Sequence, residues 1–410
     1  RIVRHPSADH PAVFLIPRSD LCRTRGMSQR RARQSSTRIA GIHETGAVAP
    51  CRPSPGARSQ FITRCNGHNN LYALPVPELP DVTIYVECLR RRVMGRTLES
   101  VTVRGLNLLR TFDPPVEAAD GRRVVGVERL GKRIVLAMDD DLFLVVHLMI
   151  AGRLRWADAR SRAGAANAGR TPGGKIDQAM FRFDSGVLTL TEAGTKRRAS
   201  LHVIQGREAL SELHRGGVDV LTCSPEAFAR ALRVENRTLK RSLTDPRLFD
   251  GIGNAYSDEI LHAARLSPFK QTRTLSDADS DSLHAACVGT LWRWTDTLRR
   301  EFGLVDATGN ASSGRFPGPG EVTAFRPGFA VHGKFGQPCP VCLAPVQRIV
   351  YAENECNYCP GCQTEGRILA DRSLSRLLKS DWPRTLEERE GPARIVARGS
   401  QPDVPPDPTP

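Results

Sequence analysis

Two cysteine pairs near the carboxyl end constrain the fold of this chain more than any other feature. Cys339 and Cys342 form one C-x2-C unit, Cys359 and Cys362 form another, and sixteen residues separate the two units. This spacing lets four thiolates converge tetrahedrally on one Zn²⁺ ion. Because all four ligands are sulfur and no coordination position stays open, the pattern predicts a structural zinc ion that supplies folding energy. Free or redox-active thiols are the alternative.

The segment between the cysteine pairs, "APVQRIVYAENECNY", has the residue pattern of a β-hairpin. Because four of the eleven cysteines form the two C-x2-C units, the set indicates zinc in a reducing compartment rather than a disulfide-linked secreted fold, and the other seven look structural or incidental. A zinc-held hairpin can contact nucleic acid, bind a protein or only stabilise the fold. The module alone therefore does not decide the function.

Strand-like segments dominate the region from residue 77 to about residue 205. A helix comes first, because Val82, Val86, Leu89 and Val93 fall on one face. The segments "LESVTVRG", "RRVVGVERLG", "KRIVLAMDDDLFLVVHLMIAGRLRW" and "AMFRFDSGVLTLTEAG" follow, and their Asp- and Gly-rich turns indicate two hairpins. We expect a β-sandwich or barrel-like domain with a leading helix and a flexible loop over residues 161–175.

Helical patterns follow, and the fold class is α+β with several domains. The predicted divisions are a leader at 1–76, the β-sandwich at 77–205, an all-α domain at 206–320, a zinc module at 321–366 and a carboxyl-terminal extension at 367–410. Within the all-α domain, "DGIGNAYSDEIL" places two glycines directly before a helix. The free N–H groups at such a helix start can bind a phosphate. An ordinary glycine turn between two packed helices is the alternative.

The charge of the chain is strongly positive and unevenly distributed. The net charge is +15, and residues 1–75 hold twelve arginines, no lysine and three acidic residues, so +9 belongs to this leader. A basic surface favours nucleic acid or another acidic partner. The leader is rich in Arg, Ser, Pro and Gly, and we expect it to be disordered and absent from the mature protein. An organelle-targeting peptide is the alternative. No apolar run is long enough to predict a transmembrane helix.

Three motifs occur in one order: "PELPDV" from Pro77, "DGIGNAYSDEIL" from Asp250, and the two cysteine pairs. In this order the chain resembles the formamidopyrimidine-DNA glycosylase and endonuclease VIII family of base-excision repair enzymes, over roughly residues 77–363. The resemblance implies a β-sandwich that faces a helix–two-turn–helix domain with a zinc finger. Double-stranded DNA with a damaged base or an abasic site would lie between the two domains. We expect the protein to be a monomer that acts at the nucleoid in the bacterial cytoplasm.

The resemblance also implies catalytic roles for Pro77, Glu78 and Lys132. The proline would attack the sugar as an N-terminal secondary amine, Glu78 would transfer protons, and the lysine would lie near the phosphates of the lesion. Without the resemblance, Pro77 and Glu78 fit a helix start with a solvated acid, and Lys132 fits an ordinary surface lysine.

The DNA-binding residues expected from the resemblance lie on several separate segments. Ile150 matches the position of the side chain that fills the space left by an extruded base. Charge runs are otherwise more often solvated surface. The complete set of DNA-binding candidates is Asn254, Arg153, Ile150, Lys196, Arg197, Arg198 and Lys240.

Two departures from the family pattern leave the lesion undetermined. Asn354 stands where the zinc hairpin usually has a phosphate-binding arginine, and "GTKRRAS" replaces the usual "DPRRFG" stretch. The main hypothesis is a glycosylase for oxidised or ring-opened purines, or for pyrimidines, that also cleaves the abasic site by β,δ-elimination. The alternatives are a glycosylase with weak or no lyase activity and a non-catalytic, zinc-dependent protein that binds damaged DNA.

The internal position of Pro77 conflicts with its implied role. An amide nitrogen has no lone pair available for attack, so the nucleophile requires a chain that begins at Pro77. Translation from Val76 with loss of the initiating residue, or proteolysis, would produce it. We therefore expect the active protein to begin at Pro77.

Overall fold

The computed structural model describes residues 76–159, 174–193, 196–306, 308–318, 320–323, 325–351, 354–370, 383–386 and 388. Residues 1–75 of the predicted leader, most of the predicted loop at 161–175 and most of the predicted carboxyl-terminal extension lie outside these ranges.

Within the described residues, eight strands form two four-stranded antiparallel sheets, with orders β1-β6-β7-β5 and β2-β3-β4-β8. The strands are β1 (Leu98–Val103), β2 (Val124–Leu130), β3 (Arg133–Met138), β4 (Leu142–His147), β5 (Gly152–Asp158), β6 (Asp177–Phe183), β7 (Gly186–Glu192) and β8 (Ser200–Gln205). The predicted hairpins β3–β4 and β6–β7 are confirmed. In the first of them, Asp140 and Asp141 adopt positive φ values of 52° and 54°, which short Asp side chains tolerate.

The helices flank and follow the sandwich. They are α1 (Leu79–Val93), α2 (Arg207–Glu212), α3 (Pro225–Arg233), α4 (Leu239–Leu243), α5 (Asn254–Ala263), α6 (Asp277–Glu301) and α7 (Pro360–Gln363). Short 3-10 helices span Val116–Ala119 and Thr272–Thr274. No helix among the described residues has the length and apolar character needed to cross a bilayer.

Helix α1 joins the sandwich to the helical domain. Its predicted apolar stripe is confirmed, since Val82, Val86, Leu89 and Val93 are buried with the inner faces of both sheets. Leu79, at the start of the helix, packs instead in the core of the helical domain with Phe249 and Tyr256. The motif that begins at Pro77 is therefore held against the helical domain from its first turn.

The cysteine module contains the predicted hairpin, which strands β9 (Gln347–Tyr351) and β10 (Asn354–Tyr358) form in antiparallel register. Helix α7 follows and begins directly after Cys359. The expected α+β architecture is thus observed: a β-sandwich with a leading helix, a helical domain and a cysteine-bearing hairpin.

Candidate active site and metal centre

One end of the sandwich carries most of the residues that the sequence assigns to catalysis and DNA contact. The β2–β3, β4–β5 and β7–β8 connections meet there, because Arg133 pairs with His147, His147 pairs with Ser200, and Gly152 pairs with Glu192. On or directly beside these connections lie Lys132, Ile150, Arg153, Lys196, Arg197 and Arg198. The topology thus brings together groups that are far apart in the sequence.

The carboxylate of Glu78 lies at the N-terminus of helix α5. It accepts hydrogen bonds from the backbone N–H groups of Gly253 at 2.6 Å, Ala255 at 2.9 Å and Tyr256 at 3.3 Å. The Leu79 N–H also donates to the Gly251 carbonyl oxygen at 3.0 Å. Glu78 is buried, with 2% of its surface exposed, so the helix start replaces water as its hydrogen-bonding partner.

Gly251 and Gly253 permit this close approach. A Cβ at Gly253 would lie 2.5 Å from Glu78 Cδ and 2.5 Å from Lys132 Nζ. A Cβ at Gly251 would lie 2.7 Å from Leu79 Cβ, and its φ of +80° also favours glycine. The two glycines of the "GIGN" motif are therefore needed for contact with α1 and with Lys132.

Glu78, which is buried, and Lys132, which is partly buried, perturb each other's pKa. Burial raises the pKa of Glu78, while the charge of Lys132 and the N–H of Ala255 act in the opposite direction. Burial lowers the pKa of Lys132, while the carboxylates of Glu78 and Asp250 oppose that change. A carboxyl group whose pKa is set by these opposing effects of burial and charge is suited to donate and take back a proton.

These contacts bear on the predicted phosphate site at the start of α5, where the assignment of Asn254 to DNA stays a prediction. The amides of Gly253, Ala255 and Tyr256 bind the Glu78 carboxylate, because an internal anion already satisfies the positive end of the helix. Asn254 is the first residue of this helix and is partly exposed. Lys240 is buried: its Nζ donates at 2.6 Å to the Asn254 carbonyl oxygen and at 2.6 Å to Asp258 Oδ1.

Ile150 lies in the turn between β4 and β5, partly exposed, as a residue that inserts into DNA requires. Arg153 is 8% exposed, and its Nη1 donates to the carbonyl oxygens of Gly152 at 2.7 Å and Ile150 at 3.1 Å. Its guanidinium thus braces the turn that presents Ile150. The assignments of Ile150, Arg153 and Lys240 to DNA stay predictions.

The basic segment Lys196–Arg198 is exposed. The Glu192 carboxylate fixes its end by accepting the Arg198 N–H at 2.7 Å and the Ala199 N–H at 3.1 Å. Asn354, the residue at the family's arginine position, lies in β10, and its side chain is outside the described residues.

The sequence did not indicate two buried groups beside Glu78. Asp81 accepts the Glu78 N–H at 3.0 Å and forms an ion pair with Arg326. Both side chains are buried. A carboxylate three residues after the N-cap residue Glu78 is a capping pattern that could have revealed Asp81. No local pattern marks Arg326. Pro77 itself is buried and is peptide-bonded to Val76.

The four predicted cysteines converge at one place. Cys339 Sγ lies 3.8 Å from Cys362 Sγ, and Cys342 Sγ lies 3.3 Å from Cys359 Sγ. Four sulfurs at about 2.3 Å from a tetrahedral zinc ion would be about 3.8 Å apart, so the donor set fits that ion. His262, which the cysteine spacing does not predict, places its Nε2 3.2 Å from Cys339 Sγ. Its ligand atom lies within 4.8 Å of those of Cys339, Cys359 and Cys362.

Comparison with known proteins places these features in one family. The model of the formamidopyrimidine-DNA glycosylase N-terminal domain matches residues 76–199, and the model of its H2TH domain matches residues 219–296. A formamidopyrimidine-DNA glycosylase of Thermus thermophilus is 34% identical over 295 residues, covering 71% of this chain and 100% of that protein. An uncharacterized formamidopyrimidine-DNA glycosylase-like protein of Mycobacterium tuberculosis is 41% identical over 163 residues, covering 40% of this chain and 94% of that protein.

Solved structures agree with these relatives. The crystal structure of the MutM (Fpg) protein from Thermus thermophilus matches with a TM-score of 0.55 and 32% identity, covering 70% of this chain and 98% of that chain. The complex between Lactococcus lactis Fpg and DNA containing an abasic site matches in fold, with a TM-score of 0.58, 24% identity, and coverage of 70% and 99%. The chain therefore belongs to the formamidopyrimidine-DNA glycosylase family.

Proposed function

We propose that this chain removes damaged bases from double-stranded DNA and cleaves the resulting abasic site by β,δ-elimination, with the amine of Pro77 as the nucleophile. The observation that carries the proposal is the position of Glu78. Its buried carboxyl group follows Pro77 directly, is hydrogen-bonded to the start of α5 and is influenced by the charge of Lys132.

The reaction begins when the Pro77 nitrogen forms a bond to C1′ of the damaged nucleotide and gives up its N–H proton, which becomes available to the departing base. The bond from C1′ to the base breaks, and the base leaves with the electron pair and takes up a proton. Glu78 protonates the ring oxygen, so the sugar opens and C1′ becomes doubly bonded to nitrogen. Loss of the C2′ proton then expels the 3′ phosphate, and loss of the C4′ proton expels the 5′ phosphate.

The environment of Glu78 supports its role as the proton donor. Burial favours the protonated carboxyl group, and Lys132 keeps the pKa from rising further. The same group can therefore give a proton to the ring oxygen and accept one in a later step. Lys132 also supplies a cation beside the expected position of the lesion phosphates.

The nucleophile must be a secondary amine, so the active protein begins at Pro77. The match to the N-terminal domain of the family begins at residue 76. The Thermus thermophilus relative is matched over its full length by 71% of this chain. The start of the family match at residue 76 supports a functional unit that begins near Pro77.

The proposed partner is double-stranded DNA with a damaged base or an abasic site, bound by a monomer in the bacterial cytoplasm at the nucleoid. Lys132 and the exposed segment Lys196–Arg198 at one end of the sandwich supply positive charge for phosphates. Lactococcus lactis Fpg has been crystallised with DNA containing Fapy-dG and with DNA containing an oxidised pyrimidine. Oxidised or ring-opened purines are the first proposed substrates, and oxidised pyrimidines are the second.

The proposed cofactor is one structural zinc ion held by Cys339, Cys342, Cys359 and Cys362. The convergence of these sulfurs supports it. When bound, the ion would cross-link the two ends of the β9–β10 hairpin and supply folding energy to the module.

The substitution Cys359→Ser should lower the zinc content and weaken DNA binding. If the zinc-free protein binds DNA as well as the zinc-loaded protein, the proposed contribution of the metal to DNA binding is wrong.

Borohydride trapping tests the nucleophile, because borohydride reduces the iminium to a stable covalent adduct. A chain that begins at Pro77 should form the adduct with abasic-site DNA. The full chain, in which Val76 blocks the nitrogen, should form none, and Pro77→Gly, which replaces the secondary amine by a primary amine, should form much less. Glu78→Gln should lose activity, whereas Glu99→Gln, at an exposed position of β1, should behave as the wild type.

The other outcomes identify the alternatives. Release of the base without any adduct would indicate a glycosylase with weak or no lyase activity. Binding of damaged DNA without either reaction would indicate a damage-sensing protein and would contradict the proposed mechanism.

A further inference from the structure

A zinc ion bound by four thiolates carries an excess negative charge that its surroundings must balance. Two positive charges on the ion and four negative charges on the sulfurs leave a net charge of about −2. Cys339 and Cys359 are fully buried, so water cannot solvate this charge from their side. Hydrogen-bond donors directed at the sulfurs are therefore required.

Backbone amides supply part of this requirement. The Val341 N–H donates to Cys339 Sγ at 3.4 Å, and the Cys362 N–H donates to Cys359 Sγ at 3.4 Å. Both donors belong to the turns that hold the cysteines themselves. They balance the charge locally but do not connect the metal centre to the rest of the protein.

His262 supplies a donor from outside the cysteine module. It lies in the last turn of α5, is 6% exposed, and places Nε2 3.2 Å from Cys339 Sγ. We propose that His262 donates its Nε2 proton to the Cys339 thiolate, slows the release of the metal and ties the metal centre to helix α5. This inference rests on the proposed zinc site.

His262, Cys339, Cys359 and Cys362 have ligand atoms within 4.8 Å of one another, but the two C-x2-C units favour a four-sulfur site with His262 as a hydrogen-bond donor. Cys342 Sγ lies 3.3 Å from Cys359 Sγ, so this cysteine is already in the cluster, and four thiolates complete a tetrahedral site. If His262 took the place of Cys342, that exposed thiol would have no role in the cluster although it lies in contact with it. A histidine that donates to a metal-bound thiolate leaves the four-sulfur set intact.

Helix α5 holds the module through two further side chains. The Glu259 carboxylate accepts the N–H groups of Ala330 at 2.8 Å, Val331 at 2.9 Å and His332 at 2.9 Å. Asp258, one helical turn before His262, accepts the Asn357 N–H from β10 at 3.1 Å. Because these contacts remain when His262 is changed, the module should stay docked and the effect on the metal can be isolated.

The test compares His262→Phe, which removes the donor, with His262→Gln, whose terminal N–H₂ can reach a similar position. Zinc content is measured first in the full-length wild type. The rate of zinc transfer to a chromogenic chelator is then measured, together with the visible spectrum after replacement of zinc by Co²⁺. We expect about 10- to 100-fold faster release from the Phe variant, near wild-type release from the Gln variant, and four-thiolate Co²⁺ bands in both. Cys342→Ser should shift those bands.

Three results would overturn the inference. Unchanged release from His262→Phe would remove the proposed role, and shifted Co²⁺ bands in that variant would make His262 a ligand. Unshifted bands in Cys342→Ser would exclude Cys342 from the ligand set. If the Phe variant does not fold, His262→Asn, whose amide is one methylene shorter than that of Gln, provides the same comparison. A wild type without bound metal would instead reject the proposed zinc site itself.

Discussion

Replacement of Gly253 by alanine should disable the proposed catalytic pair while leaving the fold in place. The added Cβ would lie 2.5 Å from Glu78 Cδ, 2.6 Å from Glu78 Oε1 and 2.5 Å from Lys132 Nζ. Since ordinary contacts begin near 3.4 Å, both groups must move by roughly 1 Å, a displacement that costs about 10²-fold in rate when it affects reacting groups. The backbone at Gly253 has φ −130° and ψ −156°, which alanine can adopt, so the effect comes from the contacts.

The stability cost of this overpacking should be about 1–3 kcal/mol, small enough for the variant to remain folded. The assay is the rate of borohydride trapping on abasic-site DNA by a chain that begins at Pro77, together with chemical denaturation. Gly289→Ala is the matched control: Gly289 lies inside α6, and its added Cβ would meet nothing within 4 Å. This control should trap DNA at the wild-type rate and gain about 0.5–1 kcal/mol. Wild-type trapping by Gly253→Ala would refute the reasoning.

Three further substitutions test the surroundings of the site. Arg326→Met should destabilise the fold by about 3–5 kcal/mol in chemical denaturation because it leaves the buried Asp81 carboxylate unpaired. Adding Asp81→Asn should recover part of this loss. An equal or larger loss in the double variant would contradict the pairing argument. Burial lowers the pKa of His147 to about 3, so the folded state keeps it neutral and loses stability as the pH falls below about 6.5. His147→Asn should therefore lose about 1–3 kcal/mol less than the wild type between pH 7 and pH 4 in denaturation measurements, and equal losses would refute the assignment. Lys132→Met removes the charge that holds down the pKa of Glu78. The trapping rate should therefore fall, and its decline at alkaline pH should move to higher pH. A decline at the wild-type pH would show that the deprotonation of Glu78 does not cause it.

The sequence predicts the elements of this fold well because local patterns determine them. The stripe Val82, Val86, Leu89 and Val93 identifies the buried face of α1, and all four residues are buried. The turn at Asp139–Asp141 permits one hairpin register, and β3 and β4 pair across it. The cysteine spacing likewise predicts both the convergence of the sulfurs and the hairpin between them. In each case, the residues that carry the signal lie within one or two neighbouring elements.

The partners of the site residues are less predictable, since they come from distant segments. Glu78 meets the start of α5 across 175 residues, His262 meets Cys339 across 77, and Arg326 meets Asp81 across 245. Hydrophobic periodicity reports which face of an element is buried, but it does not identify the polar group that the face will meet. The start of α5 illustrates this limit: a helix start binds an anion, and the local sequence cannot show that Glu78 takes three of its N–H groups.

The occupation of the α5 N-terminus also determines where DNA phosphates can be bound. Its amides and its dipole favour the ionised form of Glu78, while burial favours the protonated form. A phosphate at the same amides would displace the carboxylate and remove the proposed proton donor. Under the proposed mechanism, phosphate contacts are therefore expected from other groups, and Lys196–Arg198 offer exposed cations at the same end of the sandwich as Lys132. In the proposed mechanism, the helix start positions the proton donor, and the loops of the sandwich supply contacts to the DNA backbone.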